Sequence, residues 1–181
     1  MKYLIASDIH GCLSSTRRLL KIYEKQNCDR FIFLGDILYH GPRNALPDEY
    51  DTLQVSQMLN KYAAQIYSVR GNCDAEVDQL MLEFPITADY MQLPIEGKVF
   101  FASHGHHFGP HNLPPMGSAD YLLCGHTHIP TCERLEGITY INPGSISIPK
   151  GGSKKSFILL DGKNMQWRHL DDNGVYNEIE I

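Results

Sequence analysis

Five short apolar runs constrain this chain more than any other feature of it. They lie at residues 2–7, 31–35, 66–71, 99–103 and 121–125, and each ends in Ser or Gly followed by Asp8, Asp36, Asn72, His104 or His126. Runs of this length, rich in Ile, Phe, Tyr and Val, read as buried strands. Strand ends meet water, so a polar residue there is ordinary. Here, however, none of the five is Lys, Gln, Ser or Thr; each can bind a metal ion. In open α/β sheets, ligands sit in the crevice beyond the carboxyl ends of the strands. These five side chains fall at that position.

The intervening segments fix the fold class. Residues 14–26 carry Leu19, Leu20, Ile22 and Tyr23 at helical spacing, with Ser14 or Ser15 as the expected N-cap. Further helices fit 51–64 and 74–83, the latter capped by Asp74. Beyond about residue 138 the helical period stops. Strands are expected at 138–141, 157–160 and 165–170, with turns at Pro143-Gly144 and Asp161-Gly162. A βαβαβα start followed by strands implies an α/β fold: a largely parallel first sheet with a second, mixed sheet packed on it. At 181 residues with no Pro/Ser/Gly-rich divide, the expectation is one domain spanning 1–181.

Bulk properties exclude some partners. With 21 Asp+Glu against 16 Lys+Arg, the formal charge is −5, which argues against a general nucleic-acid-binding surface. No stretch approaches the ~20 apolar residues of a membrane span, and the apolar start is shorter than a signal-peptide core. Five scattered cysteines without a C-x-x-C pair read as reduced thiols. The expected setting is the cytoplasm, with a small-molecule substrate and no membrane partner. A homo-oligomer is compatible with all of this.

Two closely spaced pairs sharpen the chemistry. Asp8 and His10 flank Ile9, and His126 and His128 flank Thr127. In extended backbone, residues two apart point to the same side, so each pair can address one small volume. The candidates are then seven: Asp8, His10, Asp36, Asn72, His104, His126 and His128. One tetrahedral ion would be oversupplied, whereas two ions sharing a carboxylate would not. A set of N and O donors without thiolate suits divalent transition ions. Two such ions, two Asp carboxylates and a bridging hydroxide sum to about +1, which matches a phosphodiester monoanion.

At these residues the sequence resembles the calcineurin-like metallophosphoesterases. The matching motifs are Asp8 with His10, Gly35-Asp36, Gly71-Asn72-Cys73-Asp74, His104-Gly105, and Gly125-His126 with His128, in the family's order. Gly41-Pro42-Arg43-Asn44, Cys73, Asn142-Pro143-Gly144-Ser145 and Pro149-Lys150-Gly151 are similar to its YfcE-type phosphodiesterase branch. The resemblance implies a four-layer α/β/β/α sandwich of two packed mixed sheets. It also implies two divalent metal ions, Mn²⁺ foremost, with Fe²⁺, Zn²⁺ or Ni²⁺ as alternatives. Asp8, His10, Asp36 and His128 would hold the first ion; Asp36, Asn72, His104 and His126 would hold the second, with Asp36 bridging.

The implied activity is phosphodiester hydrolysis by in-line attack of a metal-bound hydroxide. A phosphomonoesterase or pyrophosphatase on the same site is the enzymatic alternative. A non-catalytic scaffold is the other, since the fold also serves in a retromer subunit. Many family members carry His where this chain has Cys73, so general-acid help is in question here. Asn72 and Cys73 are the candidate catalytic positions, and Arg43 and His107 the candidate substrate-binding ones. Arg70 is expected in an ion pair. His40 and His169 are expected at the surface, and His106 and His111 at the surface or behind the ligands. The thiols of Cys12, Cys28, Cys124 and Cys132 are expected to be idle, and Phe31, Phe33, Phe100 and Phe101 to form core.

Overall fold

The computed structural model describes residues 1–114 and 121–181. Its first half alternates β1 (Lys2–Ala6), α1 (Leu13–Lys25), β2 (Arg30–Phe33), α2 (Thr52–Asn60) and β3 (Ile66–Ser68). β1 pairs with β2 and β2 with β3, all parallel, as helical crossovers require. One helical turn, α3 (Glu76–Gln79), leads into β4 (Tyr90–Ile95), β5 (Lys98–Ser103), β6 (Tyr121–Leu123), β7 (Thr131–Leu135) and β8 (Ile138–Asn142). The chain finishes with β9 (Ser156–Asp161), β10 (Asn164–His169) and β11 (Val175–Glu180).

Two mixed sheets result, ordered β11-β10-β9-β1-β2-β3 and β4-β5-β6-β8-β7. This corrects the expected division into early and late strands. β5 and β6 leave the first sheet for the second, and the last three strands complete the first. The reason lies in β9: Ser156 to Leu160 are all buried, so the strand needs cover on both faces. It finds that cover beside β1, antiparallel, with Leu4 opposite Leu159.

Period-two alternation sorts the core into layers. Leu4, Ala6, Phe31 and Phe33 face Leu19, Tyr23, Val55 and Leu59 of the two long helices. Tyr3, Ile5, Ile32 and Leu34 point the other way, against Phe100, Ala102, Leu123 and Ile141 of the second sheet. The outer face of that sheet, with Phe101, Leu122 and Tyr140, is covered by Phe108 and Leu113 from the loop after β5. At full burial, each large side chain contributes roughly 1.5–3 kcal/mol. Trp167 is 1% exposed and still satisfied, because its indole N–H donates to the Asn142 carbonyl at 2.9 Å.

Local expectations fail at helix starts. α1 begins earlier than expected, with Cys12 as its N-cap, so Ser14 and Ser15 lie inside it. The loop before it is pinned by Gly11 N–H to the Ile37 carbonyl, 2.9 Å, and the chain turns helical at once. Asp74 caps nothing. α3 is only four residues long, and the Asp74 carboxylate serves other loops. α2 begins one residue later than expected, with Asp51 as its N-cap accepting from Gln54 N–H at 2.8 Å.

Candidate metal centre

The ligand pairs converge, but not through extended strands. Asp8, His10, Asp36, His126 and His128 lie beyond their strand ends with φ of 56°, 49°, 56°, 67° and 62°. Left-handed backbone is unfavourable for residues with a Cβ, and such strain is maintained where the surroundings over-determine it. The surroundings here are specific. Asp8 N–H donates to the Gly35 carbonyl, and His10 N–H to the Asp36 carbonyl, at 3.1 and 2.9 Å. The Asp8 carbonyl accepts from Ser145 and Ser147 hydroxyls at 2.9 and 2.6 Å. Asn142 reaches across to the Gly125 carbonyl at 2.7 Å, steadying the loop that carries His126 and His128.

Two glycines are required by close approach. A Cβ on Gly71 would lie 2.1 Å from Asp36 Oδ1, and one on Gly125 would lie 1.8 Å from Ser7 Oγ. Any side chain at either position would displace a ligand loop.

Three imidazoles are fixed in one tautomer. Nδ1 of His10, His104 and His128 lies 2.8, 2.6 and 2.5 Å from the carbonyls of Tyr39, Leu34 and Ile148. A carbonyl can only accept, so each Nδ1 donates and each Nε2 turns inward. His10 Nε2 faces His128 Nε2 at 3.4 Å, and His128 Nε2 faces Asp8 Oδ1 at 3.3 Å. Asp8 Oδ1 is buried and has no hydrogen-bond partner. Lone pairs aimed at lone pairs around an orphaned carboxylate oxygen fit a cation, and ligands ~2.1 Å from one ion sit roughly 3.0–3.4 Å apart.

Asp36 lies between two groups of donors. Its Oδ1 accepts from Cys73 N–H at 2.8 Å, which leaves Oδ2 at 3.7 Å from His10 Nε2 and 3.4 Å from His104 Nε2. Next to His104 Nε2 lie Asn72 Oδ1 at 3.0 Å and His126 Nδ1 at 3.3 Å. The sets Asp8–His10–His128 and Asp8–Asp36–His104 each place one ligand atom per residue within 4.8 Å of the others. The residues present therefore suit divalent metal, with Asp8 common to both sets and Asp36 between the two groups of imidazoles.

The electrostatics follow from burial and carboxylates. Burial would raise the Asp36 carboxyl, but facing His104 and Cys73 N–H lower it instead. Burial opposes charge on His104 too, yet Asp36 and Asp8 raise it to about 9. A proton on His104 then stands where a cation would, and protons and metal compete for such sites. Burial lowers His128 against the pull of Asp8, with the Lys150 charge adding to the lowering. Burial and Asp36 together push the Cys73 thiol up to about 12, so it stays neutral. Burial raises the Asp74 carboxyl while its backbone donors oppose that shift.

A cleft of about 350 Å³ opens over the centre, lined by Asp36, Asn72, Cys73, His126 and His128 together with Arg43 and Lys150. Arg43 thus stands in the cleft wall. His107 does not line this cleft: it is exposed, with its ring 4.1 Å from that of His106. His106 lies nearer the ligands, 5.4 Å from the His104 ring, and burial pushes it down to about 4. Arg70 donates to the Asp74 carbonyl at 3.4 Å rather than to a carboxylate among the described residues. His40 and His169 are half-buried against Tyr50 and Tyr176, not at the surface. All five cysteines are free.

Sequence reasoning missed the residues that hold the ligand loops. Asp74 accepts the N–H groups of Asp36, Ile37 and Gly71 at 2.8, 2.8 and 2.7 Å. Asn142, Ser145 and Ser147 do the same work for the other loops. Asp74, Asn142 and Ser145 stood within the quoted motifs and Ser147 just beyond them; what sequence lacked was the contact that gives each its task.

Comparison with known proteins agrees with this geometry. Residues 1–165 match the model of the calcineurin-like phosphoesterase superfamily domain. The chain is 45% identical to phosphodiesterase YfcE of Escherichia coli, over all of this chain and 98% of that one. It is 28% identical to phosphodiesterase MJ0936 of Methanocaldococcus jannaschii, covering 94% and 98% of the two chains. The solved structure of the E. coli phosphoesterase superposes with a TM-score of 0.96 at 45% identity, covering both chains fully. Vacuolar protein sorting 29 from Cryptosporidium parvum gives 0.65 at 18% identity, over 99% and 98% of the chains, which shows the shared fold alone. With the family pattern matched nearly end to end and its strand-end side chains gathered at one cleft, this chain belongs to the calcineurin-like phosphoesterase superfamily and is a phosphoester hydrolase.

Proposed function

We propose that residues 1–181 form one domain that hydrolyses phosphodiesters with two divalent metal ions, Mn²⁺ first among them. The observation that carries this is Asp8 Oδ1, buried without a partner and facing the Nε2 lone pairs of His10 and His128. Asp8, His10 and His128 with Asp36 would hold one ion; Asp36, Asn72, His104 and His126 would hold the other. When bound, such a pair supplies an activated water and neutralises charge on the phosphoryl oxygens.

The chain's own residues do the rest. Backbone carbonyls of Tyr39, Leu34 and Ile148 keep three imidazoles turned inward, so the donor set is formed before any ion arrives. Arg43 lines the cleft and suits a phosphate oxygen of the substrate. Cys73 occupies the place of the family's imidazole and supplies a neutral, weakly donating thiol. Leaving-group protonation from that position is therefore poor. The curated relatives named above are phosphodiesterases, and the near-neutral charge balance of the loaded site suits a diester monoanion better than a monoester dianion. Free thiols support the cytoplasm as the setting, and among the described residues no helix is long and apolar enough to cross a membrane.

The test is chelation and reloading, read two ways. Metal-free protein should leave bis(p-nitrophenyl) phosphate and p-nitrophenyl phosphate uncleaved, and Mn²⁺ should restore turnover with the diester preferred. Adding Mn²⁺ should also raise the thermal midpoint of the apoprotein. Full diesterase activity after verified metal removal would sink the mechanism.

A further inference from the structure

Two cations flank the cleft from different sides. Arg43 belongs to the loop whose Gly41 packs on Cys73, a Cβ there being 2.9 Å from Cys73 Sγ. Lys150 belongs to the opposite support: its N–H donates to the His128 carbonyl at 3.2 Å, two residues after the Ile148 carbonyl that holds the His128 ring. Both side chains line the cleft, and among the described residues neither has an ion-pair or hydrogen-bond partner for its charged group. Lys2, Arg17 and Arg18 are paired, with Asp161, Glu49 and Asp171, whereas Arg43 and Lys150 are left to the cleft. An unpaired Arg and Lys on a cleft that Asp36 also lines are not needed to neutralise that carboxylate, which bound ions would offset.

The charges then exceed what a simple diester needs. A diester monoanion is balanced by the loaded centre alone, and Arg43 and Lys150 add a surplus of two positive charges. No Phe, Tyr or Trp lines this cleft among the described residues, and its charged lining is the feature on which selection can act. Resting on the diesterase reading, we propose that Lys150, with Arg43, forms a subsite for a second phosphate carried by the alcohol part of the substrate. Arg presents a planar fork that fits phosphate, and Lys a mobile point charge. The favoured substrate class is a phosphodiester bearing an additional phosphomonoester, reactive phosphorus over the ions and the second phosphate between Arg43 and Lys150.

The Mn²⁺-loaded protein tests this with two esters that share one leaving group: thymidine 5′-(p-nitrophenyl phosphate) and its 3′-phosphorylated counterpart. The 3′-phosphate should raise kcat/KM about tenfold, mostly through KM, the scale of one charge-assisted hydrogen bond discounted for solvent. Lys150→Ala should bring that ratio to about one, and Lys150→Arg should keep it. Lys154→Ala, an exposed lysine four residues on and outside the cleft lining, should also keep it. Calorimetry gives a readout without turnover: thymidine 3′,5′-bisphosphate should bind about tenfold tighter than thymidine 5′-phosphate, and Lys150→Ala should erase the difference. Equal kcat/KM for both esters, or a ratio untouched by Lys150→Ala, overturns the subsite and leaves the diesterase reading standing. Cleavage of neither ester overturns both.

Discussion

Around Asp8 the centre is closed. Asp8, His10 and His128 are 0%, 0% and 3% exposed, and each imidazole is tied to a carbonyl through Nδ1. Around Asn72 it is open: Asn72 is exposed and His126 half-buried, and both line the cleft. The charge differs as well. Asp8 turns its Oδ1 toward His10 and His128, whereas His104 faces Asp36 Oδ2 at 3.4 Å. Burial of every donor around Asp8 favours tight, slowly exchanging binding; the exposed Asn72 amide favours exchange and contact with substrate. On the proposed two-ion arrangement the halves would have different tasks, one to hold and the other to turn over.

The harshest way to break that contrast is to remove what the halves share. Asp36→Asn deletes the bridging charge, and both ions should be held poorly. The expected loss in diesterase kcat/KM is at least ~10³-fold, beyond the ~10–100-fold typical of outer-shell changes. Elemental analysis of the dialysed variant should find fewer than two ions per chain. Two tightly held ions in Asp36→Asn would show that Asp36 is no bridge.

Separate changes in the two halves sharpen the comparison. Asn72→Ala should cost ~10–100-fold in activity at limiting Mn²⁺ and recover much of it in excess metal. His128→Ala should lower the tightly held fraction and recover little, because Asp8 loses the partner that faces it at 3.3 Å. Metal titration followed by calorimetry separates the two. If His128→Ala were rescued and Asn72→Ala were not, the closed and open halves would have to exchange roles.

A smaller effect is expected one layer out. Asp74 holds the N–H groups of Asp36, Ile37 and Gly71, and Asp74→Asn would turn an amide N–H toward at least one of them. Mn²⁺ affinity should fall ~10-fold with the circular dichroism spectrum unchanged. Ser147→Ala should cost less, about 1 kcal/mol of stability, since Ser145 still bonds the Asp8 carbonyl. An Asp74→Asn protein with native metal affinity would make that carboxylate a support for the fold alone.

These layers also mark what sequence could and could not show. The gathering of the seven candidate donors at one place was legible because side-chain type and strand-end position are both written in the chain. The left-handed backbone of five of them was not. Two residues apart in a strand and two apart in a φ-positive loop look identical in sequence, though only contacts such as Asp8 N–H to the Gly35 carbonyl select the second. Sheet membership failed for a related reason, because β9 is assigned by which neighbour covers it. β4, β7 and β11 were missed since edge strands keep a polar face: β11 has five of its six residues exposed. His107 was placed in the cleft because neighbouring histidines in a loop carry no sign of which one turns inward.

The finest expected effect lies at Cys73, where side chain and backbone have separate roles. Its N–H holds Asp36 Oδ1 and survives any substitution except proline, while Sγ accepts from Asn72 Nδ2 at 3.2 Å. Cys73→Ala should therefore change diesterase kcat/KM by no more than about threefold, the loss of one weak acceptor. Cys73→His asks for more. An imidazolium there would offer a proton to the leaving oxygen, help typically worth ~10²–10⁴-fold on poor leaving groups. Gly41 packs so closely on Sγ that the 41–44 loop must move to admit the ring. The unmodified enzyme should thus be fast on activated aryl esters and slow on alkyl ones, with rate falling steeply as leaving-group pKa rises. Cys73→His should flatten that slope and Cys73→Ala should leave it alone. A shallow slope in the unmodified protein, with chemistry shown to be rate-limiting, would mean that another group delivers the proton.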